Sequence, residues 1–439
     1  MTLDNKKYLV TGKVLNSVFA LSDPLKTFTS GIQNQIPSVP EDFVPVLRFA
    51  VASDVHLNGE PDEDNAIKLA NMFEDCYTYS ENHPVYNKLD GIMFAGDIAT
   101  TGDDREFLLF KDIAKSHTRK GTRVLTCLGN HEFIKYRDYD ASITYGRYKE
   151  LMHPYVDRHE IINGYHFILV SYDPDGKSFK SKKEWLRTQL RLAVADTGNK
   201  PVFVFNHPAP FGTIYGSINW ADTDLRSVLN EFPQVVDFSG HSHYNIADPR
   251  SVWQGNFTAV GCGGITGLIG NMGYISGDMD MDDRQSGGCR IVETDKDGNI
   301  HLISYDVVAH KSFDKADFYI PCYANNKKAV LGWSNLKSID TAPEFPSDAD
   351  ITVENNDEDT TIVFPDAQGR FYTECYIIDI TNAEKAEYSK CVFGSYSHAD
   401  GDGLRINVGK LGQGSHKIKI TPCSPYSKTG RTLIKVIEV

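Results

Sequence analysis

The apolar positions between residues 46 and 308 fall into short runs, separated by segments whose apolar residues have helical spacing. Five of the runs have the length of a strand and are continuously apolar, which is typical of strands covered on both faces. These runs are Val46–Ser53, Asp90–Ala95, Arg123–Leu128, Val202–Asn206 and Val235–Ser239. Strands that alternate with helices in this way predict a layered α/β fold.

Three of the intervening segments have the pattern of an amphipathic helix. The first follows a start signal at Asp62, and the second starts at Asp103 or Asp104. The third is predicted to begin at Ser181, because Glu184 follows three residues later as in a capping box. The first two helices predict crossovers between parallel strands.

The pattern changes after a hairpin that we predict to turn at Asp297-Gly298. A loose stretch follows, and then short β-rich runs separated by turn residues, which predict an all-β C-terminal domain of the fibronectin-III or immunoglobulin type. The predicted organisation is an N-terminal extension (1–44), an α/β domain (45–310), a linker (311–341) and a C-terminal β-sandwich (342–439).

The chain is acidic, with 45 Lys and Arg against 59 Asp and Glu and a formal net charge of −14. This charge opposes non-specific binding to nucleic acid or to an anionic membrane surface. We therefore expect no membrane partner and disfavour a nucleic-acid partner. An anionic substrate would have to be attracted by a local positive feature.

The N-terminal segment lacks the apolar core of a signal peptide, and no stretch reaches the ~18 apolar residues that span a bilayer. The eight cysteines are scattered without CxxC pairs, which favours reduced and mostly buried thiols. Both observations indicate a cytoplasmic protein.

Every one of the five apolar runs is followed by a polar group that can bind a metal ion. The endings are Asp54-Val55-His56, Gly96-Asp97, Gly129-Asn130-His131-Glu132, His207-Pro208 and Gly240-His241-Ser242-His243. In open α/β sheets, ligands bind at the carboxyl ends of the strands, so we expect these endings to converge. The glycines permit sharp exits from the strands and close approach of the backbone.

The residue types in these endings favour two divalent transition-metal ions. Imidazole nitrogen together with carboxylate and amide oxygen suits Mn, Fe or Zn. Asp97 is the natural bridge, because a shared carboxylate offsets the repulsion between two cations. Two carboxylates against two dications leave a net positive site, which would attract a phosphate despite the acidity of the chain.

The order D-x-H, G-D, G-N-H-E, H and G-H-x-H resembles that of the calcineurin-like metallophosphoesterase superfamily, over about residues 48–308. The resemblance implies a layered β-sandwich flanked by helices and a small phosphate-ester substrate. It also implies that one metal ion is held by Asp54, His56, Asp97 and His243, and the other by Asp97, Asn130, His207 and His241. His131 would be the catalytic histidine near the leaving group and would not bind metal.

Within that superfamily the GNHE and GHSH blocks resemble the phosphodiesterase branch, including class III cyclic-nucleotide phosphodiesterases. The segment GDIATTGD lacks both the tyrosine that follows Gly-Asp in purple acid phosphatases and the arginine of phosphoprotein phosphatases. The resemblance implies hydrolysis of phosphodiesters, with cyclic nucleotides as candidates, by a metal-bridging hydroxide. The alternatives are a phosphomonoesterase or nuclease of the same superfamily, and a non-catalytic protein-binding module.

Residues beside the motifs are weaker candidates for contacts with the substrate. Glu132 is predicted to orient a ligand. The residues after the GNHE block are expected in a loop, where they either contact substrate or are solvated. They are Phe133, Tyr136, Arg137 and Tyr139, and the segment Phe211–Trp220 is a similar candidate.

Overall fold

The structure is a computed structural model that describes residues 35–198, 200–269, 282–283, 286–324, 326–356, 358–383, 385–394 and 403–439. Most of the predicted N-terminal extension, residues 1–34, therefore lies outside the described residues. Each helix in the described ranges is too short or too polar to cross a membrane.

Strands and helices alternate through the first part of the chain. The strands up to residue 320 are β1 (Pro45–Ala52), β2 (Gly91–Ala95), β3 (Arg123–Cys127), β4 (Arg158–Ile162), β5 (Tyr165–Leu169), β6 (Val202–Pro210), β7 (Ala221–Asp222), β8 (Val235–Gly240), β9 (Val252–Gln254), β10 (Thr258–Gly261), β11 (Leu268–Ile269), β12 (Asp282–Asp283), β13 (Gly288–Asp295), β14 (Ile300–Asp306), β15 (Lys311–Ser312) and β16 (Phe318–Ile320). The helices are α1 (Asp64–Glu81), α2 (Asp104–His117), α3 (Ser142–Leu151), α4 (Lys183–Thr197), α5 (Arg226–Leu229) and α6 (Trp333–Ile339).

Most of these strands form two seven-stranded sheets. The first has the order β15-β14-β13-β1-β2-β3 with β16 beside β14, and the second has the order β4-β5-β6-β8-β10-β9 with β7 beside β6. Strands β1, β2 and β3 run parallel, as do β6 and β8. The five predicted strands are thus divided between two sheets, whereas the rule used to predict their convergence applies to a single open sheet.

The alternation of side chains along β1 explains how the sheets are layered. Phe49 points between the sheets, where its ring centroid lies 5.0 Å from that of Phe167 and 4.8 Å from that of Phe203. Ala50, on the opposite face, belongs to the core that contains Leu69 of α1. Because both faces are covered, β1 is continuously apolar. The predicted sandwich flanked by helices is confirmed.

Two of the predicted helix starts can be compared with their capping contacts. Asp103 caps α2 and forms a capping box with Glu106, which confirms the predicted start. The capping box predicted at Ser181 is wrong, because α4 begins at Lys183 without a side-chain cap. The Ser181 backbone N–H donates to Asp173 instead, at 2.9 Å, and its hydroxyl donates to the same carboxylate.

The C-terminal part contains two further antiparallel sheets. Its strands are β17 (Thr352–Asn355), β18 (Thr360–Phe364), β19 (Cys375–Asn382), β20 (Lys385–Phe393), β21 (Leu404–Gly409), β22 (Ser415–Cys423) and β23 (Leu433–Glu438). The sheets β17-β18-β21 and β20-β19-β22-β23 enclose a core of their own that includes Ile362 and Ile378. The predicted all-β C-terminal fold is confirmed.

Residues 311–341, predicted as a linker, are built into the fold. Strands β15 and β16 both pair with β14. Phe313 and Leu336 are buried in the core between the two large sheets, together with Phe371 and Tyr426 from the C-terminal part. Apolar residues of this stretch therefore extend the main core. All eight cysteines are buried and free, as expected.

Candidate metal centre

The polar endings of the five strands meet between the two large sheets. Asp54 and His56 follow β1, Asp97 follows β2 and Asn130 follows β3, all in the first sheet; His207 lies in β6, and His241 and His243 follow β8, in the second sheet. The sandwich arrangement brings these ends together across the gap. Three clusters of potential metal ligands form there, and two of them each contain three of the four residues in one of the sets that the family resemblance implies.

The first cluster contains Asp54, His56 and His243. His243 Nε2 lies 3.1 Å from Asp54 Oδ1 and 3.1 Å from His56 Nε2, and His56 Nε2 lies 3.7 Å from Asp54 Oδ1. Ligand atoms placed ~2.1 Å from one ion are roughly 3.0–3.4 Å apart. Two of the three separations fall in this range and the third, 3.7 Å, is slightly longer, so the three atoms lie close enough together to bind a single ion.

The second cluster contains Asp97, His207 and His241. His207 Nε2 lies 2.9 Å from Asp97 Oδ2 and 3.2 Å from His241 Nδ1. His207 Nδ1 lies 2.8 Å from the carbonyl oxygen of Ala95, to which it donates. That bond leaves the Nε2 lone pair facing the other two ligand atoms, which is the usual arrangement for a metal-binding histidine.

Asp97 lies between the two clusters. Its Oδ2 is 2.9 Å from His207 Nε2 and 4.0 Å from His56 Nε2. Its Oδ1 accepts a hydrogen bond of 2.8 Å from the backbone N–H of His131. The predicted bridge is therefore positioned to act through one oxygen, because the other is held by the backbone.

The donor atoms of the site fit a pair of cations. Asp54 Oδ1 and Asn130 Oδ1 are buried and lack a hydrogen-bond partner among the residues that the structure describes. An unsatisfied buried oxygen costs about 1–3 kcal/mol. Ring nitrogens of His56 and His243 also face each other at 3.1 Å, an arrangement that needs a shared proton or cation between them. Divalent ions in the two clusters would satisfy these atoms.

Charges inside the site shift the pKa values of its ligands. Burial would raise the pKa of Asp97, but the imidazole of His207 lowers it to about 2. Burial would lower the pKa of His207, but the carboxylates of Asp97 and Asp54 raise it to about 10. Burial lowers the pKa of His241 to about 4, and His207 adds to that effect. The site thus stabilises positive charge beside two ionised carboxylates.

Glu132 connects two of the endings. Its carboxylate accepts hydrogen bonds from the backbone N–H groups of Gly129 at 2.6 Å, Ala99 at 3.0 Å and Asp97 at 3.1 Å. Burial, together with the charge of Asp97, raises the pKa of Glu132 to about 8. Glu132 is therefore positioned to orient Asp97 through its backbone.

The backbone at the site is strained, and the close packing around it holds it in this conformation. Five candidate ligands have left-handed φ angles: Asp54 (52°), His56 (52°), Asp97 (51°), His241 (71°) and His243 (54°). Such angles cost roughly 1–3 kcal/mol per residue and concentrate at functional sites. A Cβ at Gly240 would lie 1.8 Å from Ser53 Oγ and 2.2 Å from Asp54 Oδ2, so this position requires glycine.

His131 lies beside the clusters and is held at two points. Its backbone N–H bonds Asp97, and its Nδ1 lies 2.8 Å from the carbonyl oxygen of Thr100, to which it donates. Its ring centroid is 4.4 Å from that of His56. Nε2 is therefore the ring atom left to exchange a proton near the clusters.

The weaker sequence candidates separate into core and surface residues. Phe133 is buried and packs against Gly176 and Tyr145, so neither of the two alternatives expected for it, substrate contact from a loop or a solvated position, is correct. Tyr139 is 89% exposed. Trp220 is 40% exposed and its ring lies 5.5 Å from that of His241, which makes it the candidate best placed to contact a bound substrate.

Sequence reasoning missed the segment that follows β10. The backbone N–H groups of Ile265 and Thr266 donate to the carbonyl oxygens of Ser53 and Asp54, at 3.0 Å and 3.1 Å. A Cβ at Gly264 would lie 3.2 Å from His243 Nδ1. The adjacent glycines of this segment were a signal for close backbone approach to the site.

Three comparisons with known proteins bear on this site. Residues 47–245 match the family model described as calcineurin-like phosphoesterase. The comparison with curated proteins gives no match. Among solved structures, a protein serine/threonine phosphatase from Saccharomyces cerevisiae, with similarity to human phosphatase PP5, is 13% identical over 68% of this chain and 93% of that chain, with a TM-score of 0.25.

The similarity of this chain to known proteins lies in the family match over residues 47–245. The matched stretch includes every candidate ligand from Asp54 to His243. Residues 47–245 of this chain, which carry all of the candidate ligands, are therefore similar to the calcineurin-like phosphoesterase family.

Proposed function

We propose that this chain is a metal-dependent phosphoesterase that hydrolyses phosphodiesters, with cyclic nucleotides as candidate substrates. The observation that carries the proposal is the pair of ligand clusters with Asp97 between them, 2.9 Å from His207 and 4.0 Å from His56. A site with two clusters and one shared carboxylate is suited to clamp both ends of a phosphoryl group during an in-line displacement.

Each of the two proposed metal ions has its own set of ligands, with Asp97 common to both sets. Asp54, His56 and His243 would hold one ion with Asp97; Asn130, His207 and His241 would hold the other with Asp97. When bound, two divalent ions would lower the pKa of a water molecule and neutralise charge on the phosphoryl oxygens. The mixture of imidazole, carboxylate and amide ligands favours Mn, Fe or Zn over calcium.

His131 would protonate the leaving oxygen from Nε2. The hydrogen bond from Nδ1 to the Thr100 carbonyl fixes the ring, and the bond from its backbone N–H to Asp97 fixes its distance from the clusters. A proton donor contributes typically about 10²–10⁴-fold to the rate. The benefit is largest for esters whose leaving group is an alkoxide.

The preference for a diester is supported by the aromatic wall beside His241. The ring of Trp220 is exposed and could cover the second ester group of a substrate whose phosphorus lies at the clusters. Rings of this kind stack on bases or other planar groups. A small monoester would leave this surface unused.

The proposal is tested with a panel of monoesters, linear diesters and cyclic nucleotides, each assayed with Mn²⁺, Fe²⁺ and Zn²⁺. We expect a diester to have the highest kcat/KM. A monoester with the highest value would contradict the diester preference, and hydrolysis of polynucleotides alone would favour a nuclease. Protein purified without chelator that holds almost no Mn, Fe or Zn, and gains no activity on reloading, would favour a non-catalytic binding module.

A further inference from the structure

A buried charge cluster joins the C-terminal sheets to the domain that carries the candidate metal centre. Arg250 is 5% exposed, and its guanidinium donates to Asp248 from Nε at 3.0 Å and from Nη2 at 2.6 Å. The same Nη2 also bonds Glu374, which immediately precedes β19. Buried ion pairs of this kind fix geometry, because breaking one leaves a charge uncompensated.

The cluster continues from Arg250 to an aromatic residue near the metal centre. The guanidinium carbon of Arg250 lies 3.8 Å from the ring centroid of Tyr215. The backbone N–H of Tyr215 donates to the Arg250 carbonyl oxygen at 3.0 Å. A cation–π contact is strongest when it is desolvated, as it is here, and Arg250 therefore holds both the ring and the backbone of Tyr215.

Tyr215 lies within residues 211–220, which we call the Trp220 loop. Its ring centroid is 5.0 Å from that of Tyr244, the residue after the candidate ligand His243. At the next position a Cβ on Gly216 would lie 2.0 Å from the Tyr244 ring. The loop is therefore packed directly against the chain that carries His243.

The same loop delivers the exposed ring at the site. The backbone N–H of Trp220 donates to the Gly216 carbonyl oxygen at 3.1 Å, and the ring stands 5.5 Å from His241. After the loop, β7 pairs with the end of β6, which contains His207. Contacts thus run without a break from Glu374 through Arg250 and Tyr215 to Trp220.

We infer that Glu374 is a positioning residue through which the C-terminal sandwich holds the Trp220 loop as one wall of the substrate site. The inference rests on the proposed function, because only a phosphoesterase would have a substrate site at this wall. The sandwich would then contribute to substrate specificity, and it would favour esters that carry a planar aromatic or heterocyclic group. The chemistry at the metal centre would not depend on Glu374.

The test compares Glu374→Gln with a matched control in the same sandwich. Burial raises the pKa of Glu374 to about 7, even beside Arg250, so a neutral side chain of the same shape is a mild change near neutral pH. The control is Glu354→Gln, which removes a carboxylate that pairs with Arg405 on the exposed surface of the sandwich. Both variants are made in the full chain.

The first readout is amide hydrogen exchange across the Trp220 loop, which does not depend on activity. We expect faster exchange at Tyr215 and Trp220 in Glu374→Gln, and no change in Glu354→Gln. The second readout is hydrolysis of bis(p-nitrophenyl) phosphate. KM should rise about three- to tenfold, which corresponds to the contribution of one aromatic contact to substrate binding. The kcat and the metal content should not change.

The double variant Glu374→Gln with Trp220→Leu tests whether both residues act through the same wall. Its KM should match that of Trp220→Leu alone, because the ring that Glu374 positions is already gone. Additive effects on KM, unchanged exchange in the loop, or equal changes in Glu354→Gln would overturn the inference.

The experiment also distinguishes failure of the inference from failure of the proposed function and from misfolding of the variant. If wild-type protein hydrolyses no ester on the panel, the proposed function fails, whereas the exchange result still decides whether Glu374 positions the loop. If Glu374→Gln does not fold, Glu374→Asp keeps the charge and shortens its reach. It should then give the same changes in exchange and KM at smaller amplitude, and wild-type values would overturn the inference.

Discussion

Three of the candidate ligands, Asp54, Asp97 and His207, are each oriented by a hydrogen bond at the second polar atom of the side chain. Asp54 Oδ2 accepts from the backbone N–H of His241 at 2.8 Å, and Asp97 Oδ1 accepts from that of His131 at 2.8 Å. His207 donates from Nδ1 to the Ala95 carbonyl. Such supporting bonds fix which atom of each ligand faces the ion, and their loss usually weakens metal binding about 10–100-fold. The sequence predicted which residues would be ligands, but it did not predict these hydrogen bonds to the backbone.

His131→Ala provides the test of the proton donor. The variant should keep both metal ions, because the backbone N–H that bonds Asp97 remains. It should lose about 10²–10⁴-fold in kcat on a nucleoside or alkyl ester, whose leaving group needs a proton. It should lose far less on a p-nitrophenyl ester, because that phenolate leaves unassisted. Equal losses on both esters, or the loss of one metal ion, would instead indicate that His131 supports the loop after β3.

At the scale of elements, the continuous apolarity of the strands and the glycines at their ends predicted the fold closely. The sequence placed β1 over Val46–Ser53, and the structure has it over Pro45–Ala52. The errors come from contacts with residues outside the predicted element. Ser181 bonds Asp173 instead of capping α4, and Phe133 turns into the core. The split of the strands between two facing sheets is also a tertiary property that periodicity does not encode.

The end of β8 can be tested by Gly240→Ala. The added methyl group would lie 1.8 Å from Ser53 Oγ and 2.2 Å from Asp54 Oδ2, so the endings of β1 and β8 must separate. We expect the ion of the first cluster to be lost and activity to fall by about 10²-fold, the scale of a 1 Å misplacement.

The matched control for this variant is Gly146→Ala in α3. A Cβ there meets nothing within 4 Å, and alanine favours the helix by up to ~1 kcal/mol. Wild-type metal content and activity in Gly240→Ala would show that the close approach to Asp54 is not required.

In the molecule as a whole, the C-terminal sandwich and the domain with the candidate metal centre share a core. Phe371 and Tyr426 from the C-terminal part are buried with Phe313 and Leu336 between the large sheets. Glu374 adds the charged contact to Arg250. The change of composition after residue 310 predicted a separate fold but gave no sign of this packing, because the apolar residues involved are isolated in turn-rich sequence.

His301 makes stability depend on pH in a second, partly buried charge network. Its Nδ1 lies 3.0 Å from Glu293 Oε2 and its Nε2 lies 2.6 Å from Asp317 Oδ1. Burial would lower the pKa of His301, but the two carboxylates raise it to about 9. The stabilisation is therefore complete below the unfolded value of about 6.5 and is lost as the pH rises through about 9.

Denaturant unfolding at pH 6, 7.5 and 9 measures this effect. The free energy of unfolding of the wild type should fall over that range by on the order of 2–3 kcal/mol more than that of His301→Gln. Comparing the two proteins cancels contributions from other titrating groups. Parallel pH curves for the two proteins would mean that the carboxylates do not stabilise a charged His301.

The proposed centre of two metal ions that share Asp97 can be tested by metal analysis per folded chain. Wild-type protein loaded with Mn²⁺ or Zn²⁺ and freed of excess metal should hold about two ions per chain. Folded Asp97→Ala should hold almost none, because the shared carboxylate is lost from both clusters and the repulsion between cations is no longer offset. A wild-type content of one ion or fewer, or two fully retained ions in Asp97→Ala, would show that Asp97 does not bridge two metal ions.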